Sequence, residues 1–332
     1  MGVKGLIKFL SSRFPAAIES TPSLERFGGC RVFVDCAILL QRTLHAAATG
    51  ILARRRRDYR NASASERQFV DARSICSEIC NHAAKPLLRL NQQLRAVRSN
   101  RGIDATFVLG SSLTVRDLHV ASRRATPGGG VNVLDLRNPH LIPALRAFFE
   151  GASDGRLYAA PSEKHMLAIA DRLADAFARV EIRQPDITRR CVEFCSSDDD
   201  YVLSDDTNAI AFGAPNVIRD YCGRNVCNTI NQARMLHLMG FSREQFADFC
   251  VLCGTDDAPL IPHIGPERAY QIITTFGTFE AFTRSPALDS VLRSPRVLKG
   301  LEKRETSVEE FKLKLEDARA RREELLVRRA RT

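Results

Sequence analysis

The sequence predicts an α/β fold, with a central, mostly parallel sheet flanked by helices. Three observations carry this reading. Arg31-Val32-Phe33-Val34, Thr106-Phe107-Val108-Leu109 and Tyr201-Val202-Leu203 are short apolar runs of strand length. Longer stretches of helical composition separate them, the rhythm of parallel strands with helices on both faces. Acids follow two of the runs, at Asp35 and at Ser204-Asp205-Asp206, where open α/β sheets place their chemistry. With 332 residues and a hydrophobic share of 44%, the chain can bury a large core.

In order along the chain, residues 4–18 read as helix, Gly28-Gly29 as punctuation, and 31–34 as a buried strand ending at Asp35. Residues 36–49 form an apolar helix. The polar, Arg-rich stretch 50–66 reads as loop, and 67–99 as a long amphipathic helix carrying Ile75, Ile79, Leu87, Leu88 and Leu94 near helical spacing. After strand 106–109 come a short basic helix, a break at Pro127-Gly128-Gly129-Gly130 and a helix near 141–150. Residues 163–180 are helical, Val180-Glu181-Ile182 reads as a third strand, and a helix over 186–195 precedes strand 201–203. An apolar helix at 243–253 ends at Gly254-Thr255-Asp256-Asp257. In His263-Ile264-Gly265-Pro266-Glu267-Arg268-Ala269, Pro266 occupies a first helical turn with Gly265 just ahead. A turn of that kind can hold one nucleic-acid phosphate on its backbone N–H groups.

The net charge of +10 points to a polyanionic partner, with nucleic acid favoured. Arg54-Arg55-Arg56-Arg57 is open to three readings: a nuclear signal, a phosphate-contacting loop or a solvated run. No apolar run reaches membrane-spanning length. The start, MGVKGLIKFL, fits neither a signal peptide nor the myristoylation pattern, which wants Ser or Thr where Leu6 stands. The 10 cysteines are scattered, and Cys250-Val251-Leu252-Cys253 has no second pair at zinc spacing, so they read as buried thiols of a reducing compartment, nucleus or cytoplasm.

Four segments together resemble the flap endonuclease/XPG family of structure-specific nucleases: Met1-Gly2-Val3-Lys4-Gly5-Leu6; Phe27-Gly28-Gly29-Cys30 running into the strand and Asp35; Ser204-Asp205-Asp206-Thr207-Asn208-Ala209-Ile210-Ala211-Phe212-Gly213; and Phe249–Asp256 leading into Ile264-Gly265-Pro266-Glu267-Arg268-Ala269. They fall in the family's order and cover residues 1 to about 285. The resemblance implies a PIN-like flap-nuclease fold with a helical cap and a helix–turn–helix DNA-binding segment. It implies an N-terminal nuclease region over 1–110, a cap or arch over 111–160, an internal nuclease region with the helix–turn–helix over 161–300, and a charged helical tail over 301–332. It also implies Mg²⁺ or Mn²⁺ held by carboxylates and a K⁺ ion near the helix–turn–helix. The implied partner is branched or flapped DNA.

Carried over residue by residue, the resemblance assigns Asp35, Asp206 and Asp256 to the catalytic and metal-holding acids, with Asp186 as a further metal ligand. Asp205 matches a family acid that is not usually a ligand. Arg116 and Arg123, seven apart and so on one helix face, match the cap cations that reach the scissile phosphate. Gly2, Lys4, Gly265 and Arg268 fall on DNA-binding positions.

The departures concern charge. Leu109 stands where the family has an acid after its second strand, with Asp104 ahead of the strand. Asn208 replaces the second acid of the third segment and brings a carbonyl oxygen without charge. Only Asp186 falls near the family's glutamate pair. The acids left are Asp35, Asp186, Asp206 and Asp256, which predicts weakened divalent binding. Two functions follow: a nucleic-acid-binding protein with weakened or lost catalysis, or an active Mg²⁺/Mn²⁺-dependent nuclease with a reduced acid set. A third, an RNA-directed nuclease, has the same phosphate contacts. After residue 285 no sliding-clamp motif of the QxxLxxFF kind occurs.

Overall fold

The computed structural model describes residues 2–21, 23–97, 102–109, 131–151, 157–159, 165, 169, 180–181, 186–221, 227–255, 264–302, 307–310, 312, 313 and 315. Its strands are β1 (Glu19–Thr21), β2 (Arg31–Asp35), β3 (Asp104–Val108), β4 (Val131–Asn132), β5 (Leu157–Tyr158), β6 (Val180–Glu181), β7 (Tyr201–Leu203), β8 (Asn216–Arg219) and β9 (Cys227–Asn231). The main sheet has the order β1-β9-β8-β7-β2-β3-β6. Pairs β7–β8 and β3–β6 are parallel. Strand β9 runs antiparallel to β8, and β1 antiparallel to β9. The α/β class and the parallel pairing are as the sequence predicts; the antiparallel edge is an addition. Strands β4 and β5 pair separately.

The chain divides into two compact units, residues 1–33 with 188–332 and residues 34–187, the division falling within β2. In the first unit, helix α1 (Leu6–Arg13) packs through Phe9 on Phe249 and Tyr270, with ring centroids 5.6 and 5.7 Å apart. Arg13 lies over the Tyr270 ring and donates to Glu267 at 2.6 Å. Strand β2 is tied to the turn before β7 by Arg31, which donates to Asp200 through Nε at 2.9 Å and Nη2 at 2.7 Å. The Ser196 and Ser197 amides donate to the same carboxylate.

In the second unit, helix α2 (Cys36–Asn61) packs along α3 (Ala72–Arg95), and α4 (Leu141–Glu150) packs on both. The expected loop over 50–66 is therefore corrected: helix continues to Asn61. Arg is a good helix former, and the arginines have partners. Arg55 donates to Glu78 Oε2 at 3.2 and 3.1 Å, Arg54 pairs with the same carboxylate, and Arg56 lies 5.0 Å over the Phe148 ring. Helix α3 is shorter than 67–99, starting behind an Asp71 cap that accepts from the Ser74 amide.

The remaining helices lie in the first unit, apart from Ile187 at the start of the first of them: α5 (Ile187–Glu193), α6 (Asn208–Phe212), α7 (Gln232–Met239), α8 (Arg243–Cys253), α9 (Pro266–Phe276), α10 (Phe279–Arg284), α11 (Pro286–Leu292) and α12 (Pro295–Glu302). Helix α8 begins with a capping box: Ser242 Oγ accepts from the Gln245 amide at 3.2 Å, and Gln245 Oε1 accepts from the Ser242 amide at 2.9 Å. Ser242→Ala is expected to cost about 1 kcal/mol, read as a lower urea midpoint at unchanged slope. None of the described helices is long and apolar enough to cross a membrane.

Candidate functional site

The third sequence segment is built as a strand, a polar turn and a helix. Apolar β7 ends at Leu203, and Ser204 Oγ accepts the Asp206 amide at 3.0 Å. Asp206 Oδ1 then accepts the Asn208 amide at 3.0 Å. These i, i+2 bonds turn the chain out of the sheet into α6. At the far end, Gly213 has φ +99°, and Arg243 Nη2 donates to the Ala211 carbonyl at 2.8 Å. A guanidinium at a helix C-terminus complements its carbonyls.

The start of the chain is the hub of this unit. Gly2 has φ +92°, and a Cβ there would lie 2.3 Å from Thr207 Oγ1 and 2.4 Å from Asp206 Oδ1. Thr207 Oγ1 donates to the Val3 carbonyl at 3.3 Å, and the Lys4 amide donates to the Gly254 carbonyl at 3.2 Å. A Cβ on Gly5 would lie 3.1 Å from Pro266 Cγ. The first segment thus touches the third, the end of α8 and the start of α9. Lys4 is exposed, Gly265 caps α9 without a side-chain hydrogen bond, and Arg268 is exposed on its first turn. Thr207 and Arg243 were missed by sequence reasoning; the Ser-x-Asp-x-Asn spacing was the available sign of the turn.

Asp205 points elsewhere. Its Oδ1 accepts the Asp220 amide at 2.7 Å, and Asp220, itself at φ +55°, accepts from Asn228 Nδ2 at 2.9 Å. Asp206 is buried. In the second unit Asp35 ends β2 with 0% exposure. Burial first, and then the Asp35 carboxylate, push the adjacent Cys36 thiol well up, so it stays protonated. Leu109 follows β3 and is 1% exposed. Asp104 is the exposed first residue of that strand. Five residues at about 3.3 Å each put it roughly 16 Å from Leu109, so Asp104 does not fill the place of the missing acid. Asp186 is exposed just ahead of α5. Asp256, Arg116 and Arg123 lie outside the described residues.

The divalent ions that the resemblance implies need several oxygen ligands each. Among the described residues, no group of three or more His, Cys, Asp or Glu side chains could hold a metal ion. Asp206 commits an oxygen to the Asn208 amide, and Leu109 offers methyl groups. The described residues by themselves do not fit a two-cation centre. The CxxC thiols do not supply ligands either. Cys250 and Cys253 are buried in α8, and burial raises both thiols.

The XPG I-region family model matches residues 190–256, from α5 through the β7 turn to the end of α8. Flap endonuclease 1 of Leishmania major is 24% identical over 300 residues, covering 86% of this chain and 67% of the relative. In sequence the chain resembles the flap endonuclease/XPG family. It spans about two thirds of the length of that relative. Two solved structures share the fold of this chain. The catalytic core of Rad2 in complex with DNA substrate matches with a TM-score of 0.55 at 14% identity, over 96% of this chain and 81% of Rad2. Human GEN1 in complex with Holliday junction DNA matches with a TM-score of 0.50 at 13% identity, over 99% of this chain and 70% of GEN1. The α/β fold they share with this chain is the one the family resemblance implies.

Proposed function

We propose that this protein binds branched or flapped DNA in the manner of structure-specific 5′ nucleases, serving repair, replication or recombination, with catalysis weakened or lost. The observation that carries the reading is the contrast between scaffold and acids. The Gly2–Lys4 segment, the Asp206 turn, Gly254 and the Gly265 turn stand together. Leu109, by contrast, is buried apolar bulk where a charge is needed, and Asn208 starts a helix in place of the second acid. In this reading Gly2, Lys4, Gly265 and Arg268 serve the DNA duplex. Arg116 and Arg123, in the 111–160 cap, serve the scissile phosphate. A K⁺ ion near the helix–turn–helix would help hold the duplex.

The alternative is an active Mg²⁺- or Mn²⁺-dependent DNA or RNA nuclease. It is favoured by one observation: Asp35 and Asp206 are both buried acids at strand ends. With Asp186 and Asp256 they would form a reduced acid set. A bound divalent ion would supply activation of water and charge for the leaving oxygen.

The test is a 5′-flap duplex with Mg²⁺ or Mn²⁺, comparing the parent with Asp35→Ala. Binding without cleavage, equal in both proteins, is the expected result. Cleavage that the substitution abolishes would establish the nuclease reading. Binding itself should be salt-dependent. For about four phosphate contacts it falls about a hundredfold between 50 and 200 mM salt. Affinity indifferent to salt would overturn the nucleic-acid reading.

A further inference from the structure

Helix α3 carries Cys76 and Cys80 one turn apart on its buried face. The Nε2 atom of His165 lies 3.5 Å from Cys76 Sγ. Neither thiol has a part in the nucleic-acid reading. We propose that Cys76 is a peroxide-reactive nucleophile, with His165 as its proton acceptor, Cys80 as a hydrogen-bonding neighbour, and a sulfenic acid as the product.

The geometry supplies the parts. An imidazole nitrogen at that distance is within reach of the thiol proton. The neighbouring Cys80 first, and then His165, hold the Cys76 thiol down at about 5 against the opposing effect of burial. The thiolate attacks one oxygen of a hydroperoxide. The S–O bond forms and the O–O bond breaks. The leaving hydroxide or alkoxide takes the proton from His165 and departs as water or an alcohol. Sulfur is oxidised by two electrons and the peroxide is reduced by two.

Cys80 does not close the pair into a disulfide. Helical residues four apart hold their Cβ atoms about 5–6 Å apart, whereas a disulfide needs about 3.5–4.5 Å. The oxidised sulfur therefore stays a sulfenic acid instead of passing into a disulfide with Cys80.

Cys30 is the internal reference. It is less buried than Cys76, yet burial raises its thiol. The full chain is treated with hydrogen peroxide at about pH 6.5, roughly two units below an ordinary thiol's pKa, in the presence of dimedone. The peptides are then quantified by mass spectrometry. Cys76 is expected to take the label at least about tenfold faster than Cys30. In His165→Gln, checked for a parent-like cooperative melt, that rate should fall about tenfold while Cys30 is unchanged. Equal rates at Cys76 and Cys30 in the parent would overturn the proposal, and this comparison needs no variant. A Cys76–Cys80 disulfide in place of the dimedone adduct would also overturn it.

Discussion

Leu109→Asp is expected to lose about 3 kcal/mol or more of stability in a chelating buffer. Leu109 is 1% exposed, so the new carboxylate is either buried ionised without a partner or forced to keep its proton. Unfolding in urea measures the loss. The same variant tests what this position faces. If the place beside β3 is the relic of a cation-holding centre, Mg²⁺ restores part of the lost stability, because a divalent ion gives the carboxylate a charge partner. The expected result is a midpoint that rises with Mg²⁺ in Leu109→Asp, with little change in the parent. A deficit indifferent to Mg²⁺ would show that this position no longer faces a metal centre. The reduced-catalysis reading would then rest on the remaining acids alone.

Gly2→Ala is expected to cost about 2–4 kcal/mol. An L-residue at φ +92° is strained by about 1 kcal/mol, and the added Cβ would also overlap Thr207 Oγ1, Asp206 Oδ1 and the Asn208 backbone nitrogen at 2.3, 2.4 and 2.8 Å. The third neighbour is backbone and cannot rotate aside. The start of the chain must lift, losing the Val3–Thr207 and Lys4–Gly254 bonds. Amide exchange at Lys4 should become fast, and DNA binding should weaken because Lys4 loses its fixed position. Parent-like protection of the Lys4 amide would refute this account. Lys4→Ala, at an exposed side chain, is expected to leave stability within about 0.5 kcal/mol, which separates the backbone role of the segment from its charge.

Strands with strong local signals were legible in the sequence. Arg31–Asp35 and Tyr201–Leu203 are β-branched, aromatic or apolar runs with an abrupt polar stop, and both are strands. The helices at 141–150 and 243–253 were legible for a similar reason, continuous apolar periodicity closed by glycine. Strands β1, β8 and β9 were not, because short strands of this antiparallel flank are defined by their pairing partners rather than by composition. The arginine run was misjudged as loop because its support, Glu78 and Phe148, comes from other helices.

The sequence by itself determined the family resemblance, through four segments in a fixed order, and it determined the missing charges, since Leu109 and Asn208 are letters that no fold can turn into carboxylates. Only the tertiary structure decided what those letters do. It buried Leu109, where local periodicity cannot distinguish a core residue from a strand-end one. It set Asn208 at the head of a helix whose first turn is fixed by Asp206. It also made the first residues of the chain the clasp of the Asp206 turn, the end of α8 and the start of α9. Such a role depends on backbone atoms meeting across more than 200 positions of sequence, and composition and spacing carry no record of that.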